Sequence, residues 1–454
     1  MASDSDLVGL LAGWLPGQRW YAGKGSDIVD VALVSSATLR GGDPELRHLV
    51  VRVEAADRTV ERYQVLIGLR AELPERLWHA AIGPAGDGQA YDPMHDTELT
   101  HVLLERLAAG DTVDGVRFEP EPGVDIDTTQ SSRLSSAEQS NTSLIYGDAY
   151  ILKLFRRLSE GVNPDLEIHR ALAAAGCTHI AAPLGAISAA TGSADFTYGL
   201  LQGFVANAAD GWHMATTSVR DLYAEGDLHA DEVGGDFAGE AHRLGGATAE
   251  VHRDLADALG SRLAGPDEDR DTAQQMRDRL AAALTVVPAL LPFAEVLRAA
   301  YDEVAGLTAP VTIQRVHGDY HLGQVLRGMR GWVLLDFEGE PARSFAERTA
   351  MMSPLRDVAG MLRSIDYAAR HLLADHGAPS PGSHLIYRAN EWAERNRDAF
   401  CAGYAEAAGA DPRSSPVLLR AFELDKAVYE AVYETRNRPS WLPIPLHSIA
   451  RLAG

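Results

Sequence analysis

Three oxygen-bearing side chains lie close together in segment 314–341. Asp319 is followed five residues later by Gln324 and, twelve residues beyond that, by Asp336. Phosphoryl transfer requires little covalent chemistry of a protein, which has to align the attacking group and neutralise charge on the transferred phosphate. A loop carboxylate such as Asp319 can take the proton of an attacking hydroxyl, while the oxygens of Gln324 and Asp336 suit Mg²⁺. The segment therefore predicts a catalytic base at Asp319 and a site for the Mg²⁺ that accompanies ATP at Gln324 and Asp336.

The order of these groups follows a known catalytic pattern. The chain has H-G-D at 317–319, an amide at 324 and D-F-E at 336–338, directly after the apolar run 332–335. Protein kinases have H-R-D, an amide five residues on and then D-F-G after a short hairpin. The match in order and spacing favours a kinase-type catalytic loop.

The same residues allow two alternatives to the kinase loop. His317 and His321 are four residues apart and, with Asp319, could bind zinc in a metal hydrolase. Such a site needs a helix with a Glu beside its first histidine. The chain has no Glu there, and Gly318 and Gly323 favour a loop. A purely structural turn is the other alternative, and the kinase-type loop is preferred to both.

A β-hairpin with a lysine is predicted upstream of the catalytic loop. Two β-rich runs, 142–146 and 149–155, flank a Gly-Asp turn, and a polar stretch precedes the first run. Kinases cover the nucleotide phosphates with such a hairpin and carry a lysine on the following strand. We therefore expect Lys153 to contact the α- and β-phosphates of ATP. The residues expected to cradle the phosphates are Gln139, Ser140, Asn141, Thr142 and Ser143.

A helix and a hinge complete the predicted nucleotide site. Asn163 followed by Pro164 predicts a helix start, with an Asn cap and Pro at the first helical position. Glu167 would then pair with Lys153, as the glutamate of a kinase does. The apolar strand 198–205 takes the place of the kinase hinge, so Gln202 and Phe204 are expected to contact ATP there.

The remaining patterns indicate one small N-terminal unit and a long helical part. Residues 48–53 and 61–67 alternate apolar and polar residues and predict a hairpin. Helical spacing is found in 237–259, 272–284 and 421–437. Ser353-Pro354 opens a further helix, in which Asp357 is expected to brace the catalytic loop. We predict an α+β protein of three parts: 1–88, 89–205 and 206–454.

The last predicted helix carries a charged stripe with two interpretations. Lys426, Glu430, Glu434 and Arg438 follow one another at four-residue steps beside Tyr429 and Tyr433. Such a stripe can be a solvated ladder of ion pairs. Alternatively its carboxylates and aromatic rings bind sugar hydroxyls and sugar faces. The sequence favours neither interpretation.

Composition limits the function classes. The chain has 454 residues and a formal net charge of −23, which argues against binding to nucleic acid or to an anionic membrane surface. It contains two cysteines, so no disulfide framework is expected. The N-terminus lacks a basic signal region, and the most apolar segment, 280–297, is interrupted by Pro288 and Pro292. We therefore expect a cytoplasmic protein that does not cross a membrane.

Seven motifs distributed over nearly the whole chain resemble the actinobacterial maltokinases, a family in the aminoglycoside-phosphotransferase branch of protein-kinase-like folds. They are Q-R-W-Y-A-G-K, E-Q-S-N-T-S, V-G-G-D-F-A-G-E, R-V-H-G-D-Y-H-L-G-Q-V-L, L-D-F-E-G-E-P, S-P-L-R-D-V-A-G-M-L-R-S and Y-E-T-R-N-R-P-S-W-L-P-I-P. The resemblance implies a bilobal kinase-like fold with an N-terminal cap subdomain, an intermediate subdomain and a mainly helical C-lobe. It also implies ATP- and Mg²⁺-dependent phosphorylation of maltose at its anomeric hydroxyl, feeding glycogen synthesis, with trehalose synthase as a partner of an otherwise monomeric enzyme.

The resemblance leaves the acceptor and its binding residues less well defined. By analogy with the fold, the residues placed at the sugar are His317, Tyr367, Glu430, Arg438 and Trp441. A kinase of another sugar or amino sugar, such as glucosamine, is the alternative enzyme, because the catalytic loop does not specify the acceptor. A binding subunit without catalysis is the alternative from a different class. The presence of Lys153, Asp319, Gln324 and Asp336 together argues against it.

Overall fold

The computed structural model describes residues 2–135, 140–191, 194–225, 228–233, 235–341, 343–375 and 384–453. Its contacts divide the chain into two compact units: 1–170 with 181–206, and 171–180 with 207–454. The first unit contains two large β-sheets and the second is mainly helical. The predicted α+β class with a mainly helical C-terminal part is confirmed, and the finer division at residue 88 stays a prediction.

The first unit is built from two antiparallel sheets. One has the strand order β1-β2-β3-β5-β4 with β11 paired to β3, and the other has the order β6-β7-β12-β13-β10-β9-β8. The elements are α1 Asp4–Trp14, β1 Ile28–Arg40, β2 Glu45–Ala55, β3 Val60–Arg70, β4 Ala81–Ala85, β5 Gly88–Tyr91, α2 Thr97–Ala109, β6 Thr112–Val113, β7 Val116–Pro120, β8 Ser132–Leu134, β9 Thr142–Tyr146, β10 Tyr150–Leu154, β11 Arg157–Leu158, α3 Pro164–Ala174, β12 Pro183–Thr191 and β13 Ala194–Gly203. The two predicted hairpins are the pairs β2–β3 and β9–β10.

Helix α1 covers one face of the N-terminal sheet. Leu7, Leu11 and Leu15 recur at four-residue steps, and all three are buried against β2 and β3. The helix begins at Asp4, because Ser3 and Asp6 form a reciprocal capping box at its N-terminus.

The second unit consists mainly of long helices. Its elements are β14 Ala209–Asp210, α4 Gly211–Ala224, α5 Ala238–Leu259, β15 Ser261–Leu263, α6 Pro266–Val286, α7 Ala294–Ala305, β16 Thr312–Gln314, β17 Val325–Gly328, β18 Gly331–Leu334, α8 Phe345–Thr349, α9 Leu355–Asp375, α10 His384–Ala408, α11 Pro416–Asn437 and α12 Pro443–Ala453. The helices predicted over 237–259, 272–284 and 421–437 correspond to α5, α6 and α11. Within the described ranges, no helix combines the length and apolar character needed to span a bilayer.

Helices α5 and α10 cross with their backbones in contact. A Cβ atom at Gly245 would overlap the carbonyl oxygen of Phe400, and one at Gly403 would overlap that of His242. The glycines permit this approach because they have no Cβ. Both helices therefore pack more closely than side chains at these positions would allow.

A buried carboxylate, Asp366, is surrounded by arginines from three helices. Its oxygens lie 3.0 Å from Arg363 Nη1, 3.2 Å from Arg370 Nη1, 2.7 Å from Arg451 Nη2 and 3.8 Å from Arg397 Nη1. Burial alone would raise the pKa of Asp366, but the guanidinium groups outweigh it and hold the pKa far below its usual range. We refer to these five residues as the Asp366 cluster, which links α9, α10 and α12.

Candidate active site

The catalytic loop is fixed to the start of α9 by Asp357. The carboxylate of this residue accepts hydrogen bonds from the main-chain N–H of His317, at 2.7 Å, and of Gly318, at 2.9 Å. Its Oδ2 also lies 3.1 Å from Nε2 of His252 on α5. Burial acts to raise the pKa of Asp357, but these partners keep it below its ordinary value, so the group stays ionised. This geometry is that of the loop brace expected from the sequence.

Gly318 stands where the protein-kinase motif has arginine, in a backbone conformation that residues with a side chain rarely adopt. Gly318 and Gly339 both have positive φ angles, +84° and +76°. A Cβ on Gly318 would lie 3.4 Å from the Cα of Gly339. The two glycines therefore bring the loop that carries Asp319 against the loop that carries Glu340.

Asp319 is held by a lysine that the sequence reasoning did not connect with it. Nζ of Lys426, on α11, lies 3.0 Å from Oδ1 of Asp319 and 2.8 Å from Oε1 of Glu340. Burial alone would raise the pKa of Asp319, but the Lys426 ammonium outweighs it and lowers the pKa below its usual range. Asp319 is therefore a carboxylate at neutral pH. It lines a cavity of about 260 Å³ in the second unit.

The side chains of Gln324 and Asp336, both predicted to bind Mg²⁺, are in direct contact. Nε2 of Gln324 donates to Oδ2 of Asp336 at 3.1 Å, so the amide and the carboxylate are in contact. Asp336 directly follows Leu335, whose main-chain N–H donates to the carbonyl of Gln324 at 2.9 Å. Asp336 has φ +62°, a conformation uncommon for residues other than glycine and frequent at functional sites. An amide and a carboxylate side by side fit the preference of Mg²⁺ for oxygen.

The structure contradicts the expectation that His317 binds substrate. The ring is buried between Tyr320 and Phe337, and its Nε2 lies 2.8 Å from the carbonyl oxygen of Leu335. Its Nδ1 accepts from the N–H of Asp319 at 3.4 Å. Both ring nitrogens are thus engaged in hydrogen bonds with main-chain groups. The same bonds argue against the zinc alternative, because His317 is committed to the backbone and His321 is extended rather than helical.

The residues predicted to bind the nucleotide lie in the first unit and are grouped around Lys153. This lysine is buried on the interior strand β10, opposite Ser143 on β9 and Leu200 on β13. Its Nζ lies 3.0 Å from Oδ2 of Asp165. Burial would raise the pKa of Asp165, but Lys153 and then His169 lower it far below the usual range. Lys153 and Asp165 therefore form a buried ion pair.

The predicted partner of Lys153, Glu167, is corrected to Asp165. Helix α3 begins at Pro164, and Asn163 Oδ1 accepts from the N–H of Asp165 at 2.8 Å, as the cap prediction requires. Asp165 and His169, four residues apart, share the buried face of the helix. Residues two apart on a helix do not point to the same side. Glu167 therefore does not share the buried face with Asp165, and its side chain is half-buried.

This correction gives a testable difference between two carboxylates on one helix. We expect Asp165→Asn to raise the KM for ATP at least tenfold, because Lys153 loses the charge that holds it and a buried cation loses its partner. Glu167→Gln, the matched control, is expected to change this KM less than threefold. Steady-state kinetics at saturating sugar would decide; a larger effect at Glu167 would restore the original prediction.

The expected phosphate-cradling residues are only partly available to a ligand. Gln139 lies outside the described residues. Thr142 and Ser143 are buried within β9 rather than exposed on a loop, and Oγ1 of Thr142 accepts from Nε of Arg156 at 2.8 Å. The guanidinium of Arg156 also lies 5.0 Å from the ring centroid of Trp20. The cradling role of the Thr142 hydroxyl is therefore corrected: it connects β9 to the N-terminal motif through Arg156.

Asn141 and Ser140 precede β9, and of the two only Asn141 is buried. The contact expected between Ser140 or Asn141 and phosphate stays a prediction.

The predicted hinge strand is β13, and its main chain is largely committed to the sheet. The N–H of Phe204 donates to the carbonyl of Ala149 at 2.8 Å, so a nucleobase cannot use that donor while the pairing persists. The side-chain nitrogen of Gln202 is buried and has no hydrogen-bond partner within the described ranges. Of the two hinge residues, Gln202 is thus the one with a donor to offer.

The charged stripe on α11 is not a solvated ladder. Glu430 accepts from Arg363 at 2.7 Å, and burial raises its pKa despite that arginine. Glu434 is buried and accepts from Arg438 at 2.7 Å and from the Tyr367 hydroxyl at 3.3 Å. The solvated interpretation is therefore wrong for the two glutamates.

Three of the residues expected at the sugar, Tyr367, Arg438 and Trp441, form one aromatic and charged cluster. The guanidinium of Arg438 lies 4.1 Å from the ring centroid of Trp441, and that ring is 6.4 Å from the ring of Tyr367. Arg438 and Trp441 are partly exposed, whereas Tyr367 is buried. Their contact with a sugar stays a prediction.

Comparisons with known proteins identify the family of the chain. A family model described as "Phosphotransferase enzyme family" matches residues 132–413, which is well over half of the chain. The chain belongs to the phosphotransferase enzyme family. A second model, described as "Maltokinase N-terminal cap domain", matches residues 14–96. The predicted kinase-like fold with an N-terminal cap is confirmed.

Similar proteins carry the name glucosamine kinase. The protein of that name from Streptacidiphilus jiangxiensis is 29% identical over 69% of this chain and 72% of its own length. The one from Mycolicibacterium smegmatis is 27% identical over 70% of this chain and 78% of its own length. A solved glucosamine kinase in complex with glucosamine, ADP and inorganic phosphate has a TM-score of 0.70 at 24% identity, with both chains covered in full. The family and the two sequence relatives support a sugar kinase, and the solved structure supports the fold.

Proposed function

We propose that this protein is a sugar kinase that uses ATP to phosphorylate maltose at the anomeric hydroxyl, giving maltose 1-phosphate and ADP. The observation that carries the reaction type is the ionised Asp319 at the wall of a cavity, five residues before Gln324, whose amide contacts Asp336. Base, amide and second carboxylate are the groups that phosphoryl transfer from ATP uses in kinases. The family membership supports the same reaction.

Each side chain has one role in this proposal. Asp319 accepts the hydrogen bond of the acceptor hydroxyl and then its proton. The pKa of Asp319 is low, so it is a weak base, but an anomeric hydroxyl is more acidic than other sugar hydroxyls. Lys153, held by Asp165, supplies positive charge to the nucleotide phosphates. Gln324 and Asp336 would hold Mg²⁺, which supplies charge neutralisation at the phosphate oxygens.

Maltose is proposed as acceptor because of the N-terminal part of the chain. Residues 14–96 match the cap model that is named after maltokinase. The second candidate is phosphorylation of glucosamine, which the names of the similar proteins favour. Supply of maltose by a trehalose synthase and use of the product in glycogen synthesis follow from the same family resemblance and stay predictions.

A panel of acceptors with ATP and Mg²⁺ tests the proposal. We expect maltose to release ADP faster than glucosamine does at equal concentration, as followed by a coupled ADP assay. Methyl maltoside, whose anomeric oxygen is blocked by a methyl group, is expected to release none, because the attacking hydroxyl is missing. Phosphorus NMR of the maltose product should show one phosphate, bonded to the anomeric carbon.

The same panel contains the results that would overturn the proposal. Faster turnover of glucosamine would replace maltose by the second candidate. Turnover of methyl maltoside would rule out the anomeric position. ADP release from no sugar at all would favour a binding protein over an enzyme.

A further inference from the structure

The carboxylates that line the cavity beside Asp319 are all engaged by other groups of the protein. Five acidic residues line it: Asp319, Glu340, Glu347, Asp357 and Asp425. Each already has a partner within the described part of the chain. Asp319 and Glu340 bind Lys426, and Asp425 binds Arg279 at 2.6 Å. Glu347 accepts from Ser344, and Asp357 holds the catalytic loop.

The carboxylate of Glu340, next to the catalytic base, is surrounded by cations. Glu340 is buried and is approached by Lys426 at 2.8 Å, Arg343 at 2.5 Å and Arg356 at 3.3 Å. Burial would raise the pKa of Glu340, but the three cations outweigh it and keep it well below its usual range. Glu340 therefore stays ionised at neutral pH and remains paired with Lys426.

Lys426 is the one of these three cations that reaches the reacting centre. Its ammonium bridges Asp319 and Glu340 and lies 4.8 Å from the ring centroid of Tyr429, which also lines the cavity. The two carboxylates keep Lys426 protonated by raising its pKa, although burial acts in the opposite direction. A ligand that approaches Asp319 thus approaches a fixed positive charge as well.

The cavity offers hydrogen-bond donors to oxygen. Nη1 of Arg343 is buried and has no hydrogen-bond partner among the residues that the structure describes. A sugar hydroxyl can accept from this donor or from Lys426, and it can also donate to Asp319. An ammonium group can only donate, and it would meet the like charge of Lys426 in a partly desolvated site, where such contacts are costly.

We propose that Lys426 makes this cavity selective for neutral sugars and excludes protonated amino sugars. The proposal rests on the proposed function, since it assumes that the sugar binds beside Asp319. It assigns Lys426 as a specificity-determining residue in a chain whose similar proteins are named glucosamine kinases.

The test compares glucose with glucosamine, which share one ring and differ in the 2-hydroxyl and the 2-ammonium group. At about pH 6.5 the amine is protonated, as judged from the pKa of ordinary α-amino groups. We expect the wild type to favour glucose over glucosamine in kcat/KM by at least tenfold. In Lys426→Met, which keeps the length without the charge, we expect this ratio to fall at least tenfold. In Lys426→Arg, which keeps the charge, we expect it to stay within threefold.

A loss of turnover in Lys426→Met does not end the test, because the ratio of the two dissociation constants can then be measured by calorimetry with the same expected shift. A ratio that is equal in the wild type and Lys426→Met overturns the proposal, as does a wild type that prefers glucosamine.

These results are separate from the identity of the natural acceptor. If maltose is not phosphorylated but the ratio depends on the charge at 426, the selectivity stands and the maltose assignment fails. If maltose is phosphorylated and the ratio does not depend on the charge at 426, the maltose assignment stands and the selectivity proposal fails.

Discussion

The Asp319→Asn variant is expected to lose turnover by a factor of about 10²–10⁴, the usual contribution of a general base. An amide cannot take the proton of the acceptor hydroxyl, and it also leaves Lys426 with Glu340 as its remaining carboxylate partner. The KM for ATP is expected to change little, because Asp319→Asn leaves Lys153 and Asp165, the ion pair proposed to bind the nucleotide, unchanged. Steady-state kinetics with maltose and ATP measure both quantities.

Asp425→Asn is the matched control for this substitution. Asp425 lines the same cavity but is paired with Arg279 rather than placed beside the base. We expect it to retain at least a tenth of wild-type kcat. A kcat for Asp319→Asn within threefold of the wild type would contradict the assignment of Asp319 as the base.

The pH profile gives an independent measurement of the same group. Because the folded-state pKa of Asp319 lies below its ordinary value of 3.8, the carboxylate form is present at all pH values above that. The log of kcat/KM should therefore be flat from about pH 8 down to pH 5 as far as this group is concerned. An acidic limb with a midpoint near pH 6 would show that Asp319 is not held as a carboxylate by Lys426.

The second large effect is expected on stability, at the Asp366 cluster. Asp366→Asn should lower the free energy of unfolding by about 3–5 kcal/mol, the usual result of removing one partner from a buried ion pair. Asp366 is 1% exposed, and its substitution removes the carboxylate that Arg370 pairs with in the interior, whereas Arg363 keeps Glu430 and Arg397 keeps Glu423. Urea denaturation of the wild type and the variant, followed by circular dichroism, measures the difference.

Asp302→Asn serves as the control. Asp302 pairs with Arg277 at 2.8 Å, but its side chain is 64% exposed, so we expect a loss below about 1 kcal/mol. Equal losses at 302 and 366 would show that the Asp366 cluster contributes no more than a surface ion pair.

The stability difference should also depend on pH in a defined direction. The folded-state pKa of Asp366 is depressed, so its contribution is fully present above the unfolded-state value near 3.8 and is lost as the pH falls toward the folded-state value. The gap in unfolding free energy between the wild type and Asp366→Asn should therefore be constant between pH 5 and 7 and shrink below pH 4. A gap that widens on acidification would contradict this account.

The features predictable from the sequence were those encoded over short distances. The loop from His317 to Asp336 could be predicted because its residues are fixed by one tight turn and one hairpin, and the structure brings Gln324 and Asp336 into contact. Helix α3 could be placed from Asn163 and Pro164 because capping is a local effect.

The features that were missed depend on how a helix is rotated about its own axis, or on contacts between segments that are distant along the chain. Glu167 was chosen over Asp165 because spacing alone does not show which side of α3 faces β10. Lys426 lies 107 residues from Asp319 along the chain, and a solvated ladder and a buried cluster have the same four-residue spacing. The expected role of His317 was wrong because a backbone carbonyl, that of Leu335, occupies its ring nitrogen, and main-chain partners leave no trace in the sequence.

The crossing of α5 and α10 has a consequence for any attempt to improve the protein. Replacing a helical glycine by alanine ordinarily strengthens a helix by up to about 1 kcal/mol, which makes such exchanges attractive in thermostabilisation. Gly245 and Gly403 are exceptions, since a methyl group at either position would push apart the two helices that supply His252 and Tyr404. His252 in turn contacts Asp357. An engineer following helix propensity alone would thus disturb the reaction centre from a place that looks inert.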